Sequence, residues 1–255
     1  MVVKSGVEFA SLLQEQKVTL TGIVNGMSML LGAMVLVPVL RVELREHRGR
    51  ITLYRRQNRQ NGLDRSGMTA MVILTIVLAG SSSIGLNILL TLTGFAQSSS
   101  GYQKVAEAQY GVVLWAGVLL YAVISPLAEE IVFRGIIYNR MRRYLSEWRP
   151  QKTGKFDTAT MAAVISSGIL FGVYHGNLVQ GVYGGCMGIL MAYMYERTHA
   201  FYIPCLFHAV ANCVVYLTAQ NAGLHGRIFT FPWCMALLVI SLGMILIVEK
   251  VLNHE

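Results

Sequence analysis

The chain has 255 residues, of which 54% are hydrophobic and only 13% charged, with a formal net charge of +8. Its mean hydropathy is +0.52, whereas a soluble domain usually carries about 25% charged residues, so lipid rather than water is the expected solvent. The positive charge does not point to nucleic acid: residues 41–65 hold eight arginines against three acids, residues 139–157 hold four arginines and two lysines against two acids, and neither run is interleaved with aromatics or set in a helix-turn-helix pattern.

From the N-terminus, MVVKSGVEFASLLQEQK lacks the basic-then-apolar order of a signal peptide, so no cleaved targeting segment is expected. A bilayer core needs about 20 apolar residues per helical crossing. On that basis the predicted spans are 18–40, 68–95, 111–138, 158–176, 178–195, 200–220 and 231–250. The pattern predicts an all-α, polytopic transmembrane bundle of about seven helices, or eight if a short re-entrant segment near 175–180 counts separately. With no long linker or repeat, residues 1–255 read as a single integral membrane domain. The second span contains Ser81-Ser82-Ser83, which invites tilt or a local break. Gly181, Gly184, Gly185 and Gly188 in the fifth span recur at the spacing that lets helix backbones approach closely, which predicts a packing seam. Cys186, Cys205, Cys213 and Cys234 all lie in apolar segments and read as small packing residues.

The basic runs set the expected orientation, because cytoplasmic loops carry the Lys/Arg excess. With 41–65 and 139–157 in the cytosol, the alternation of spans puts 96–110 outside, the N-terminus outside and the C-terminus in the cytosol.

Three polar clusters interrupt the apolar spans. In Ser125-Pro126-Leu127-Ala128-Glu129-Glu130-Ile131-Val132-Phe133-Arg134, two carboxylates sit within a span, where each costs some 2–3 kcal/mol to insert. Arg134 follows Glu130 by four residues and can meet it on one face. Glu129 is rotated away by about 100°, and Pro126 can free a backbone carbonyl. The second cluster is Phe171-Gly172-Val173-Tyr174-His175. The third, His208-Ala209-Val210-Ala211-Asn212, sets an imidazole and an amide on one helix face. Each cluster alone could be structural. Together they supply a carboxylate to take a proton from water, imidazoles to share that work, and an amide to donate to an oxyanion. Glu129, His175 and His208 could instead ligate zinc. The H-E-x-x-H and G-x-S-x-G patterns of other hydrolases are absent.

EEIVFR, FGVYH and HAVAN fit, in order, the E-E-x-x-x-R, F-x-x-x-H and H-x-x-x-N motifs of the CPBP family, the CAAX-protease and bacteriocin-processing (Abi) proteins related to Rce1-type prenyl endopeptidases. The resemblance covers roughly 110–220, the expected catalytic core. It implies a CAAX-type intramembrane endopeptidase, glutamate- or metal-dependent, acting on a membrane-associated or lipidated peptide or protein from the cytosolic side. It further implies that Glu129 with His175 activates water, that Glu130 and Arg134 support them, and that His208 and Asn212 hold the oxyanion. No resident cofactor is expected, with zinc as the alternative, and the bacterial cell membrane is the expected location. A non-catalytic Abi-type protein, acting in bacteriocin immunity or as a regulatory partner, remains open. So does a transporter that uses the buried charges as an ion path.

One tension accompanies this reading. Counted from the expected cytosolic ends, Glu129, Glu130 and His208 lie about 8–10 residues deep but His175 about 17, a gap of some 10 Å. It closes if the first turns of the fourth helix, Phe156–Met161, project into the cytosolic interface.

Overall fold

The computed structural model describes residues 2–58, 63–148 and 158–253, all of which form helices joined by short turns, with no strand among them. In chain order the helices are α1 (Val2–Asn58), α2 (Arg65–Leu92) and α3 (Ser100–Tyr110), then a continuous helical run from Leu114 to Trp148, α4. They continue with α5 (Thr158–Tyr174), α6 (Leu178–Thr198), α7 (Tyr202–Gln220), α8 (Ala222–Ile228) and α9 (Phe231–Asn253).

Each expected span falls on a helix. By length and composition five helices among the described residues can cross a membrane: Leu12–Gly49, Arg65–Leu92, Leu114–Ser146, Tyr202–Gln220 and Phe231–Leu252. Thr158–Tyr174 is apolar but shorter, and α6 is diluted by its glycines and tyrosines. The protein is therefore a polytopic helical membrane protein. Near 175–180, residues 175–177 form the turn between α5 and α6, and 178–180 are the first residues of α6.

The basic segments differ from expectation in conformation. Residues 41–58 continue α1 and residues 139–148 continue α4. Arg, Glu and Leu are good helix formers, and neither junction carries a Gly-Pro stop. The remaining parts of those segments, 59–62 and 149–157, and with them the start of the projection expected from Phe156, lie outside the described residues.

The described ion pairs other than those around Glu130 gather at one end of the bundle. Arg140 meets Glu43 at 2.7 Å, Arg143 meets Glu46, Arg142 meets Glu196 at 3.4 Å, and Arg197 meets Glu249 at 2.8 Å. The opposite end is closed by neutral bonds: Gln220 Nε2 donates to the Tyr110 carbonyl, Tyr216 Oη to the Val112 carbonyl, and the Val113 N–H to the Thr19 hydroxyl. α5 packs most extensively on α6. A Cβ at Gly172 would collide with the Gly181 carbonyl, and one at Gly168 would lie 2.7 Å from the Ile189 nitrogen. The expected glycine seam in α6 thus meets a second one in α5.

Candidate active site

α4 is not a uniform α-helix. Two wide, π-helical stretches, Val118–Ile124 and Ile131–Tyr138, flank one α-helical turn and a half, Ser125–Glu130. In the first, the Ser125 N–H reaches back five residues to the Leu120 carbonyl. Pro126 has no N–H with which to continue that pattern, so the Tyr121 carbonyl is left for another donor. Asn212 Nδ2 supplies it at 2.9 Å from α7. Close approach of α4 and α7 is permitted by Gly117, where a Cβ would collide with the Tyr216 ring. The proline that the sequence suggested would free a carbonyl thus ties two site-bearing helices together.

The adjacent carboxylates behave differently. Glu130 is fully buried, and its Oε1 accepts from Arg134 Nη1 at 2.7 Å and lies 2.8 Å from His208 Nδ1. Arg134 is equally buried. Its Nη2 donates to the Gly188 carbonyl at 2.9 Å, and its guanidinium carbon lies 4.7 Å from the centre of the Phe171 ring. Arg134 therefore joins α4 to both arms of the α5–α6 hairpin. Glu129 faces a cavity of about 210 Å³. Its Oε1 accepts from Ser125 Oγ at 2.7 Å, and its Oε2 lies 3.7 Å from His208 Nε2.

The two histidines are oriented by different acceptors. His175 Nδ1 lies 2.8 Å from the Phe171 carbonyl. A carbonyl only accepts, so Nδ1 carries the proton and Nε2 is the basic nitrogen of the neutral ring. His208 places Nδ1 against the Glu130 carboxylate and Nε2 toward Glu129. Phe171 stands edge-on between the two rings, 4.9 Å from His175 and 5.4 Å from His208.

All six residues singled out from the motifs therefore lie in one region. Glu129, Glu130, Arg134 and His208 are in direct contact, while His175 and Asn212 line the same cavity as Glu129 and His208. Sequence reasoning grouped His208 with Asn212 and His175 with Glu129. The structure instead sets His208 between the two glutamates. Ser125, the Tyr121 carbonyl and the Gly188 carbonyl were not singled out. Ser125 had a readable signal, four residues before Glu129 on one face; the carbonyls had none.

Of the three alternative zinc ligands, His208 Nε2 lies 3.7 Å from Glu129, and His175 gives Nδ1 to the Phe171 carbonyl, which leaves its Nε2 free. Among the described residues no three His, Cys, Asp or Glu side chains group as a metal ion requires.

The cavity has a direction. Its walls run from Glu129 and His208 in mid-bundle to Tyr102, Ala106 and Tyr110 on α3, away from the ion-paired end. His175, on the α5–α6 turn, lines the same cavity as Glu129. Gly101 of α3 sits over that turn, where a Cβ would lie 3.7 Å from Asn177.

A buried carboxylate and imidazole, with a half-buried second imidazole and a half-buried amide, thus converge on one cavity of a helical membrane protein. Residues 111–214, which contain all six motif residues, match the family described as type II CAAX prenyl endopeptidase Rce1-like. Over 155 residues the chain is 26% identical to the Bacillus subtilis (strain 168) protein named "Putative membrane peptidase YdiL". That match covers 53% of this chain and 57% of the relative, so the chain spans little more than half the length of the relative it matches. No solved structure matches it. This match and the three motifs support a CPBP, Rce1-like family over residues 111–214.

Proposed function

We propose that this protein is an intramembrane endopeptidase that cleaves a peptide bond of a membrane-associated or lipidated polypeptide with a water activated on Glu129. The observation that carries the reading is the contrast between neighbours: Glu130 is sealed against Arg134, while Glu129 lines a cavity with only a hydroxyl and an imidazole beside it. A carboxylate so placed can accept a proton without breaking a buried ion pair.

In the proposed reaction Glu129, assisted by the basic Nε2 of His175, takes a proton from water as the oxygen attacks the scissile carbonyl. The second N–H of the Asn212 amide donates to the oxygen that becomes negative. His208 Nε2, 3.7 Å from Glu129, relays the proton to the leaving nitrogen as the C–N bond breaks. Glu130 and Arg134 position His208 without touching the substrate. The chemistry uses side chains alone, and turnover is expected to survive chelation. The bond is reached from the half of the bundle beneath α3, so cytosolic basic segments would put access on the opposite face, a revision of the cytosolic-side expectation.

The test is cleavage of membrane-anchored, internally quenched peptides by purified protein. Glu129→Gln keeps the shape of the side chain but cannot take the proton, and turnover should fall by about 10³-fold or more while thermal stability is retained. Near wild-type cleavage by the Gln variant would sink the assignment. Activity lost on chelation and restored by zinc would transfer the chemistry to a metal.

A further inference from the structure

A second cavity, of about 290 Å³, adjoins the first. It lies among α2, α3, α7 and α8, beyond the catalytic residues, and shares Asn87, Ala96, Tyr102, Tyr110 and Val215 with the catalytic cavity. The two therefore form one channel that leads away from Glu129, with Tyr102 and Tyr110 of α3 in the wall common to both. Joined, they fall within the range of about 300–1,000 Å³ typical of ligand sites.

The chemistry of the lining is as informative as its shape. Neither cavity is lined by a lysine or arginine, Glu129 is the sole carboxylate, and the remaining titratable groups besides tyrosines are His175, His208 and His225. The second cavity offers amides and hydroxyls, among them Thr91, Gln97, Gln103 and Thr218, beside apolar carbon from Ile84, Ala219 and Phe229. Burial pushes the Tyr102 and Tyr110 phenols up, so both remain neutral hydrogen-bonding groups. Arg134, the nearest buried cation on the catalytic helix, is closed off by Glu130 and the Gly188 carbonyl. A chain-terminal carboxylate or a phosphate drawn into this channel would lose its hydration with no lysine or arginine on the wall to replace it. Backbone amides and uncharged side chains would instead find acceptors and donors at intervals along the wall.

We infer that the second cavity is an extended substrate subsite, which takes an uncharged internal stretch of polypeptide flanking the scissile bond rather than a charged chain end. The inference rests on the endopeptidase reading and names its substrate class: a bond some residues inside a chain, with neutral residues to one side.

The probe is a set of amidated, internally quenched peptides of Ala, Leu and Ser, lengthened by zero to six residues on either side of one cleavable bond, and a parallel set ending in a free carboxylate. Wild-type protein should show KM falling by tenfold or more as the neutral extension grows on one side, and no gain when the extension ends in carboxylate. Ala219→Trp from α7 and, independently, Thr91→Phe from α2 fill the cavity and should abolish the gain, so that long and short peptides have the same KM. The inference is overturned if folded filler variants retain the length dependence, or if the free carboxylate improves binding. A photo-crosslinking residue placed at 219 in the Glu129→Gln background gives a readout independent of turnover. Capture of the long amidated peptide, but not the short one, supports the subsite even if no peptide is cleaved, in which case the endopeptidase reading fails alone. No capture of either overturns the subsite, whatever the activity.

Discussion

The two ends of this bundle use buried carboxylates in opposite ways. At the basic end Glu43, 3% exposed, is held by Arg140 at 2.7 Å and Arg143 at 3.8 Å, and Glu196 accepts from Tyr138 and Arg142. Those pairs tie α1 and α6 to α4, each carboxylate meeting at least one guanidinium. Toward the neutral end Glu129, 9% exposed, forms an ion pair with no guanidinium among the described residues and faces a cavity. Burial alone therefore does not distinguish these carboxylates. What separates them is whether a guanidinium meets the charge, and the neighbours Glu130, paired with Arg134, and Glu129, beside His208, show the two conditions one residue apart.

Substitutions sharpen that contrast in order of size. Glu129→Gln should remove at least about 10³-fold of turnover with little change in stability, whereas Glu43→Gln should leave turnover intact; equal losses of activity would erase the distinction. Arg134→Ala should unfold or strongly destabilise the protein, by about 3–5 kcal/mol, because it strands Glu130 in the interior. Arg140→Ala, whose side chain is 57% exposed, should cost less, because Arg143 still faces the Glu43 carboxylate at 3.8 Å, and thermal melting of the two variants side by side reads the difference.

Asn212→Ala removes one proposed oxyanion donor and should slow turnover by about 10²–10³-fold. Because its amide also bridges to the Tyr121 carbonyl, the loss should appear in kcat with a modest fall in melting temperature; an effect confined to melting would make Asn212 purely structural. Ser125→Ala should be mildest, lowering kcat by about tenfold through loss of one hydrogen bond to the Glu129 carboxylate. A Ser125→Thr variant that restores the rate would tie the effect to the hydroxyl.

Much of the site was legible because its signals are local. Glu130 and Arg134, like His208 and Asn212, are four residues apart on one helix, and polar groups inside apolar spans are costly enough to stand out. The partner of His208 was not legible. Whether its ring meets an oxyanion or a pair of glutamates depends on how far α7 slides along α4, and that is set by Gly117 and by the Tyr121 carbonyl that Pro126 leaves open. The helical continuation through 41–58 was missed for a related reason: charge marks the end of the apolar core, not the end of a helix whose residues favour helix.

By itself the sequence determined that this is a membrane protein, where its apolar helices run, and which six polar side chains to look for around one candidate site, since hydropathy and i, i+4 spacing are written in neighbouring residues. Tertiary structure alone decided the level of the α5–α6 turn, the pairing of His208 with both glutamates, and the direction in which the cavity runs. Those depend on the axial offset between helices far apart in the chain. That offset follows from where glycines let backbones touch and where Arg134 finds the Gly188 carbonyl, contacts that no local pattern encodes.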